Sequence, residues 1–304
     1  MKCIAIIDIG SNSIKFLVGE RRPDGTVATL ADHNAPVRLG EGLWKSGVLS
    51  DAAMERNAAA VARFAALARE KGAEEAVCVG TMALRSAANS VDFLRLVRER
   101  CGLSVRVISG EEEARLSYLA VLSGMPMDDG EVLVFDTGGG STEFIFGRGR
   151  EVLRRFSLNL GAIRITERFF RTDPVERRSV EAALQTIAGE LTAAGIGKQS
   201  CRVVGIGGTV TTMGAVRHRL ERYDPAVIQG SLLRMEEVKR QIALYSGLTI
   251  PQRRELPGLP SKRADVILGG ACIVQSILDC LGVKELTISD RGLRHGLAWE
   301  LLNG

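Results

Sequence analysis

Short apolar runs that end in glycine or small polar residues alternate along this chain with longer stretches of helical periodicity. Runs of apolar and β-branched residues are typical of buried strands, whereas apolar positions three or four residues apart are typical of amphipathic helices. Their alternation predicts an α/β protein. The predicted strands include residues 75–81, 104–109, 201–208 and 284–289, and the predicted helices include residues 51–72, 111–124, 175–195, 209–220, 263–282 and 290–304.

Two hairpin-like segments are copies of each other. Residues 6–20 align with residues 134–148 at a constant offset of 128, without a gap, and share five identities in fifteen positions. The identical pairs are Asp8 and Asp136, Gly10 and Gly138, Ser13 and Ser141, Phe16 and Phe144, and Gly19 and Gly147. Both copies are predicted to form strand, tight turn and strand, which indicates two copies of one structural unit.

The repeat predicts two similar domains, at residues 1–125 and 126–304, joined by the Gly-, Pro- and Asp-containing segment 123–131. Two similar domains that face each other form a cleft, which is the usual place for a small-molecule site. The sequence leaves open whether the closing helix, residues 290–303, packs back on the first domain.

Composition excludes several classes of protein. The chain has 304 residues, 45% of them hydrophobic, and a net charge of +4, so we expect a globular core and no nucleic-acid partner. The most apolar late segment contains Asp265, Gln275 and Asp279, which argues against a membrane span. No C-x-x-C motif occurs, and three separated histidines disfavour zinc. The N-terminus turns polar too quickly for a signal peptide, so a cytoplasmic protein is expected.

Charge is unevenly distributed. Nine arginines lie between Arg148 and Arg178, against only four acidic residues. Two interpretations stay open: an ordinary solvated surface, or a strip that guides an acidic substrate.

The duplicated turns have the composition of anion-binding loops. Glycine and small residues expose backbone N–H groups, and several N–H groups that point inward bind an anion. In the first turn Ser11, Asn12 and Ser13 add side-chain donors. In the second turn Gly138, Gly139 and Gly140 expose backbone N–H groups, and Ser141 and Thr142 add side-chain donors. Two such turns would hold one phosphate chain from both sides; ordinary hairpin turns are the alternative.

A third glycine run joins a predicted strand to a predicted helix. Gly207, Gly208 and Thr209 place backbone donors at a helix N-terminus, where an anion is stabilised. Val210 occupies the third glycine position of the dinucleotide fingerprint, and neither a P-loop nor a G-x-S-x-G motif occurs.

Charged residues near the ends of predicted strands are candidates for catalysis. Asp8 and Asp136 can hold a divalent cation or its water ligands. Arg85 either binds a phosphate or is an ordinary surface residue. Glu111, Glu112 and Glu113 favour the start of a helix, and one of them facing the cleft would orient and deprotonate a water.

Seven motifs, in order, resemble those of the exopolyphosphatase / guanosine-pentaphosphate phosphatase family. They are DIGSNSIKFLV, GTMALR, SGEEEARLSY, VFDTGGGSTEF, GIGGT, LPGLPSKRADVILGG and LTISDRGLRHG. The resemblance runs from Ile4 to about Trp299. It implies the fold of the actin-like, sugar-kinase and Hsp70 superfamily, with two duplicated RNase H-like domains flanking a central cleft. The duplication agrees with the 128-residue repeat.

The resemblance also implies roles for individual residues. Glu113 corresponds to the family's water-activating glutamate, and Arg85 to an arginine that binds substrate phosphate. It implies a first phosphate loop at Asp8, Ser11, Asn12 and Ser13, a phosphate and metal cluster at Asp136, Ser141 and Glu143, and a further phosphate or nucleotide loop at Gly207–Thr209. The expected cofactor is magnesium, with manganese as the alternative, and a homodimer is compatible with the family.

The expected activity is hydrolysis of the terminal phosphoanhydride of inorganic polyphosphate. The chain resembles the short family members without a long C-terminal extension, which favours polyphosphate over the first alternative, guanosine pentaphosphate. A nucleotide-dependent switch of the actin or Hsp70 type is a second alternative, and a sugar or acetate kinase is a third.

Overall fold

The computed structural model describes residues 2–23, 25–125 and 130–304. The chain divides into two compact units: unit 1 contains Met1–Ser123 and Arg291–Gly304, and unit 2 contains Gly124–Asp290. The predicted boundary between residues 125 and 126 adjoins residues 126–129, which lie outside the described part of the chain.

Strands and helices alternate along most of the chain. The strands are β1 (Cys3–Ile9), β2 (Ile14–Arg21), β3 (Val27–Ala35), β4 (Glu75–Gly80), β5 (Val105–Val107), β6 (Glu131–Thr137), β7 (Thr142–Arg148), β8 (Glu151–Leu158), β9 (Arg202–Ile206), β10 (Leu232–Arg234) and β11 (Glu285–Ile288). The helices are α1 (Leu43–Ser46), α2 (Asp51–Glu70), α3 (Met82–Ser86), α4 (Ser90–Cys101), α5 (Gly110–Leu122), α6 (Ala162–Phe169), α7 (Arg177–Ala193), α8 (Gly207–Arg217), α9 (Pro225–Ile228), α10 (Met235–Gly247), α11 (Ile250–Arg254), α12 (Ile267–Leu281) and α13 (Leu293–Asn303).

The two sheets share one strand arrangement. Unit 1 has the order β3-β2-β1-β4-β5, and unit 2 has the order β10-β11-β9-β6-β7-β8. In each unit the first three strands form an antiparallel meander, and the first strand is also parallel to the next one, β4 or β9. Strands β8-β7-β6-β9-β11 therefore repeat the order of unit 1, and β10 is an addition.

Unit 1 buries both faces of its sheet. Because side chains alternate along a strand, Ala5 and Ile7 join the apolar cluster of α2 and α4, whereas Ile4 and Ile6 join that of α5 and α13. Asp8 follows Ile4 and Ile6 at the same two-residue spacing along β1. Its side chain therefore lies on the face of the sheet that α5 covers.

The closing helix, α13, belongs to unit 1. A Cβ atom on Gly296 would lie 1.8 Å from the backbone oxygen of Leu116, so α13 and α5 approach as closely as their backbones allow. Arg115 on α5 forms an ion pair with Glu300 on α13 through both carboxylate oxygens. Arg291 donates a hydrogen bond to the carbonyl of Ser123, 2.6 Å away. The structure thereby answers the question that the sequence leaves open.

The core of unit 2 is centred on α12. This helix is buried over most of its length and contacts α6, α7, α8 and α10. It is the most apolar helix of unit 2, in keeping with a position inside the core. No helix in the described part of the chain has the length and apolar character that a membrane crossing requires.

Candidate functional site

The first turn of unit 1 is buried and built on backbone hydrogen bonds. Gly10 donates its N–H to the carbonyl of Ser13 at 3.0 Å, which closes the turn between β1 and β2. Ser11, Asn12 and Ser13 are each less than 10% exposed. In the ladder between these strands Asp8 lies directly opposite Lys15, so a carboxylate and an ammonium group share one face.

Two buried polar atoms near the turns have no hydrogen-bond partner among the described residues. They are Oδ1 of Asn12 in unit 1 and Oγ1 of Thr137 in unit 2. Buried polar atoms are nearly always hydrogen-bonded in folded proteins. An unsatisfied acceptor or hydroxyl beside each turn is the arrangement expected of a site that takes a polar ligand.

The structure distinguishes the three consecutive acids of α5. Glu111 is exposed, and Glu112 forms an ion pair with Arg106 at 2.5 Å. Glu113 is only 8% exposed and begins the buried face of the helix. Ser109 caps the helix by accepting a hydrogen bond from the N–H of Glu112 at 3.1 Å. Only Glu113 has the buried position that a shielded catalytic carboxylate requires.

Arg85 is the partner of Glu113. Strand β4 leads into the short helix α3, which carries Arg85. Its Nη1 donates to Oε2 of Glu113 and to the carbonyl of Ile108, both at 2.8 Å. The two side chains are largely buried, so the ion pair holds the carboxylate in a defined orientation. The structure therefore brings together the two residues that the sequence assigned to catalysis.

The second turn, in unit 2, is closed in the same way as the first, but fewer of its residues carry side chains. Gly138 donates to the carbonyl of Ser141 at 2.9 Å, as Gly10 does to Ser13 in unit 1. Gly138 and Gly139 are partly exposed, whereas Ser141 is buried. The hydroxyl of Thr142 donates to the carbonyl of Leu160 at 2.5 Å. The sequence predicted Thr142 as a phosphate donor, and in the structure its hydroxyl ties β7 to the segment after β8.

Two carboxylates lie side by side in unit 2. Asp136 on β6 is directly opposite Glu143 on β7, and both are at least 90% buried. Oε1 of Glu143 accepts a hydrogen bond from the hydroxyl of Ser157 at 2.7 Å. Two buried carboxylates on adjacent strands repel each other unless positive charge lies close by.

The third glycine run lies next to this carboxylate pair. Gly207 begins α8 with a φ of +85°, and a Cβ atom there would lie 2.2 Å from Oδ1 of Asp136. Glycine is therefore required twice over, by the left-handed backbone and by the close approach of the carboxylate. The N-terminus of α8 is uncapped by any side chain, and Gly207 and Gly208 are partly exposed.

A cation that was not predicted from the sequence, Arg263, lies at the N-terminus of α8. The guanidinium of Arg263 lies against Gly208, since a Cβ atom there would be 2.1 Å from its Nη2. Within the described part of the chain this guanidinium makes no hydrogen bond or ion pair, and burial lowers its pKa. A cation beside a helix N-terminus attracts an anion. The motif LPGLPSKRADVILGG contains Arg263, but the sequence assigned this arginine no role.

The residues predicted as metal ligands are divided between the units. Asp8 lies in unit 1, whereas Asp136 and Glu143 lie in unit 2. Among residues 2–23, 25–125 and 130–304 there is no group of three or more His, Cys, Asp or Glu side chains close enough to hold a metal ion. The pair in unit 2 consists of hard oxygen donors, which suit magnesium, an ion that proteins commonly hold through one or two carboxylates with waters and substrate phosphates as further ligands.

The arginine-rich segment 148–178 is largely engaged in local contacts. Arg148, Arg168, Arg177 and Arg178 form ion pairs with neighbouring glutamates. Arg154 stacks over Phe156 and donates to the carbonyl of Ala194. These contacts favour the ordinary solvated surface over a strip that guides substrate.

Comparison with known proteins identifies similar chains over nearly the full length. The model of the Ppx/GppA phosphatase family matches residues 18–303. Exopolyphosphatase 2 of Mycobacterium tuberculosis is 31% identical over 321 residues, an alignment that covers 98% of this chain and 98% of that protein. The guanosine-5'-triphosphate,3'-diphosphate pyrophosphatase of Vibrio vulnificus is 34% identical, and the alignment covers 98% of this chain and 59% of the relative.

A longer relative carries a second activity in its name. The bifunctional 3-dehydroquinate synthase/phosphatase of Fusobacterium nucleatum is 32% identical over an alignment of 297 residues that covers 94% of this chain. The chain spans 44% of that relative's length.

Solved structures support the fold class. A Ppx/GppA family member from Aquifex aeolicus has a TM-score of 0.84 and 33% identity, with 99% of this chain and 98% of that chain covered. An exopolyphosphatase from Cytophaga hutchinsonii has a TM-score of 0.91 and 26% identity, with 100% and 98% covered. The predicted α/β fold of two duplicated units is confirmed by these neighbours and by the repeated strand order.

Proposed function

The chain belongs to the Ppx/GppA phosphatase family, and we propose that it is an exopolyphosphatase that hydrolyses the terminal phosphoanhydride bond of inorganic polyphosphate. The observation that carries the proposal is the buried ion pair between Arg85 and Glu113, 2.8 Å apart, on the same face of the unit 1 sheet as Asp8. Such a pair provides an oriented carboxylate beside a cation, which a water-activating group near a phosphate needs.

Glu113 is assigned to the attacking water. The water oxygen forms a bond to the terminal phosphorus, the bond from phosphorus to the bridging oxygen breaks, and orthophosphate leaves. The water proton passes to the Glu113 carboxylate, and the shortened polyphosphate carries away the negative charge of the bridging oxygen. Arg85 orients Glu113 and, with its planar fork, binds the terminal phosphate as the reaction proceeds.

The loops of both units are assigned to phosphate binding. Backbone N–H groups and the side chains of Ser11, Asn12 and Ser13 serve in unit 1. Gly138 closes the second turn through its N–H, so the backbone N–H groups of Gly139, Gly140 and Gly207–Thr209 serve in unit 2, together with Ser141. Arg263, next to Gly208, adds a positive charge to the second set. Donors that are already in place when charge develops on the transferred phosphoryl group lower the barrier without reorganising.

A divalent cation, magnesium or manganese, completes the proposal. Asp136 and Glu143 would hold it in unit 2, since they are buried, directly opposed and chemically suited to a hard cation. When bound, the cation neutralises negative charge on the phosphate oxygens.

Guanosine pentaphosphate is the second candidate substrate, because the 34% identical Vibrio vulnificus relative is named for guanosine-5'-triphosphate,3'-diphosphate. Its 5′ end carries the same type of anhydride, so the assigned residues serve both substrates. Orthophosphate release should be measured side by side on long polyphosphate, tripolyphosphate and guanosine pentaphosphate. We expect the highest kcat/KM on polyphosphate, and a reversed order would favour the second candidate.

The catalytic assignment is tested with two neighbouring glutamates. We expect Glu113→Gln to lower kcat by about 10²–10⁴-fold, the usual contribution of a general base. Glu111→Gln, a change in the same helical turn at an exposed position, should leave kcat unchanged. Orthophosphate release by Glu113→Gln at the parent rate would refute the role of Glu113, and a parent protein inactive on all three substrates would refute the proposed function.

A further inference from the structure

The carbonyl groups of both phosphate loops are held by the chain that follows the third strand of each unit. In unit 2 the carbonyls of Gly138 and Gly139 accept hydrogen bonds from the N–H groups of Ala162 and Ile163, at 3.0 and 2.9 Å. These donors are the first residues of α6, which comes directly after β8. The loop is thus bonded to a helix N-terminus through its oxygen atoms.

Unit 1 has a related arrangement without a helix, in which the bonded carbonyls lie one residue further along the loop. The carbonyls of Ser11 and Asn12 accept hydrogen bonds from the N–H groups of Gly40 and Arg38, at 2.8 and 3.0 Å. The donors follow β3, the strand equivalent to β8. Arg38 donates from a left-handed backbone with a φ of +54°, which is unfavourable for a residue with a side chain.

Because of peptide geometry, the hydrogen bonds to these carbonyls also fix the direction in which the following N–H groups of the loop point. In a trans peptide the C=O of one residue and the N–H of the next point in opposite directions. Holding the carbonyls of Gly138 and Gly139 therefore turns the N–H groups of Gly139 and Gly140 away from α6. In the described chain these two N–H groups donate to no protein acceptor, and the same is true of those of Asn12 and Ser13.

The close approach depends on glycine at one position in each unit. A Cβ atom on Gly161 would lie 2.4 Å from three backbone atoms of Gly139 and Gly140. A Cβ atom on Gly40 would lie 3.0 Å from Cβ of Ser11 and 3.4 Å from its carbonyl oxygen, a much milder overlap. The hydrogen bond from Thr142 to the carbonyl of Leu160 fixes the segment just before Gly161.

We propose that Gly161, and to a smaller extent Gly40, are positioning residues that let the segment after the third strand hold each phosphate loop with its amides directed at the substrate. The inference rests on the proposed function, because it assigns these amides to phosphate. It adds two residues outside the loops, neither of which touches the substrate.

Binding and stability are measured separately to test it. Tripolyphosphate binding is measured by calorimetry in the Glu113→Gln background, where substrate persists, with and without Gly161→Ala. We expect Gly161→Ala to weaken binding at least tenfold and, in the otherwise unchanged protein, to lower kcat/KM by about 10²-fold, the effect of misplacing a catalytic group by about 1 Å. Gly40→Ala should give a smaller loss in both measurements.

The matched control is Gly189→Ala, in α7, where an added Cβ meets no atom within 4 Å. It should leave binding and activity unchanged. Combined with Gly161→Ala, it tests whether extra helix stability restores binding, which a purely structural role of Gly161 would require.

The outcomes separate the two proposals. If the parent neither binds nor hydrolyses polyphosphate, the proposed function fails. If the parent is active and folded Gly161→Ala binds tripolyphosphate with the parent affinity, the positioning role is wrong. If Gly161→Ala does not fold, Gly40→Ala decides: reduced affinity supports the inference, and unchanged affinity and kcat/KM overturn it.

Discussion

The two phosphate loops have the same backbone and different side chains. Both are closed by one hydrogen bond, from Gly10 to Ser13 and from Gly138 to Ser141, and both are held through their carbonyls. Unit 1 keeps Ser11, Asn12 and Ser13 in the loop and places Lys15 opposite Asp8. Unit 2 has bare glycines and places Glu143 opposite Asp136.

Under the proposed function, this difference corresponds to different chemical roles of the two loops. In unit 1 the aspartate at the end of the first strand lies opposite a lysine. In unit 2 the equivalent aspartate lies opposite a second carboxylate, the pair to which the proposed function assigns a divalent cation. Unit 1 instead carries Glu113 and Arg85, which the proposal assigns to the attacking water.

The largest effect predicted for this comparison of the two loops tests the cation assignment. Glu143→Gln removes one of the two opposed carboxylates, so we expect about 10²-fold lower activity at limiting magnesium, partly restored at higher magnesium. The comparable change in unit 1, Lys15→Gln, should leave the magnesium concentration for half-maximal rate nearly unchanged. A magnesium titration of both variants measures this. A raised requirement in Lys15→Gln but not in Glu143→Gln would reverse the comparison.

The second prediction concerns the stability of unit 1. Gly296→Ala places a methyl group 1.8 Å from the Leu116 carbonyl, so α13 must move away from α5. We expect a loss of about 2 kcal/mol, within the range for overpacked cores. Both tryptophans, Trp44 and Trp299, lie in unit 1. Tryptophan fluorescence during urea unfolding therefore follows this unit, and an unshifted midpoint would contradict the close contact.

The third prediction is that the free energy of unfolding of unit 1 falls as the pH is lowered. Burial, reinforced by the charge of Arg294, lowers the pKa of His295 to about 4. Nδ1 of His295 accepts from the N–H of Gly292 at 3.2 Å, and Nε2 faces Asp32 at 3.3 Å, as the neutral ring requires. Burial raises the pKa of Asp32, but the hydrogen bond from His295 and the charge of Arg294 outweigh it and hold this pKa at about 2.

The direction of the pH effect on the free energy of unfolding depends on whether the folded or the unfolded state binds the proton. Between about pH 6.5 and 4 the unfolded chain protonates its histidine while folded His295 stays neutral, so the free energy of unfolding falls by up to about 1.4 kcal/mol per pH unit. The Asp32 contribution is lost only at lower pH, as the pH falls from about 4 to about 2. Fluorescence-detected unfolding at several pH values should show this slope, and His295→Gln should reduce it. His218→Gln, at an exposed site in unit 2, is the control that should retain it.

The smallest predicted effect is a gain in unit 2. Gly189 lies exposed in α7, with open space where a Cβ would be. Because alanine is the better helix former, Gly189→Ala should stabilise unit 2 by about 0.5–1 kcal/mol. Far-UV circular dichroism during thermal unfolding measures the change. A lower melting temperature would show that the helix is not as open there as the structure indicates.

Features that depend on neighbours in the chain could be read from the sequence. The Asp-x-Gly spacing and the apolar runs on either side fix a strand, a turn and a strand within fifteen residues, and both turns form with the same hydrogen bond. The 128-residue repeat predicted two units of one architecture, and the resemblance of the motifs assigned them to a family. Arg85 was selected because it follows a strand, and the resemblance to the family selected Glu113 among three adjacent acids.

Features that depend on distant contacts required the folded chain. Three adjacent glutamates look alike in sequence, and packing alone makes Glu113 the buried one. Gly161 lies 22 residues after Gly139, and no local pattern shows that the two backbones touch. Arg263 and α13 are further examples, since their positions depend on close packing between residues remote along the chain. Local periodicity specifies elements and turns, whereas the space left between backbones decides which residues meet.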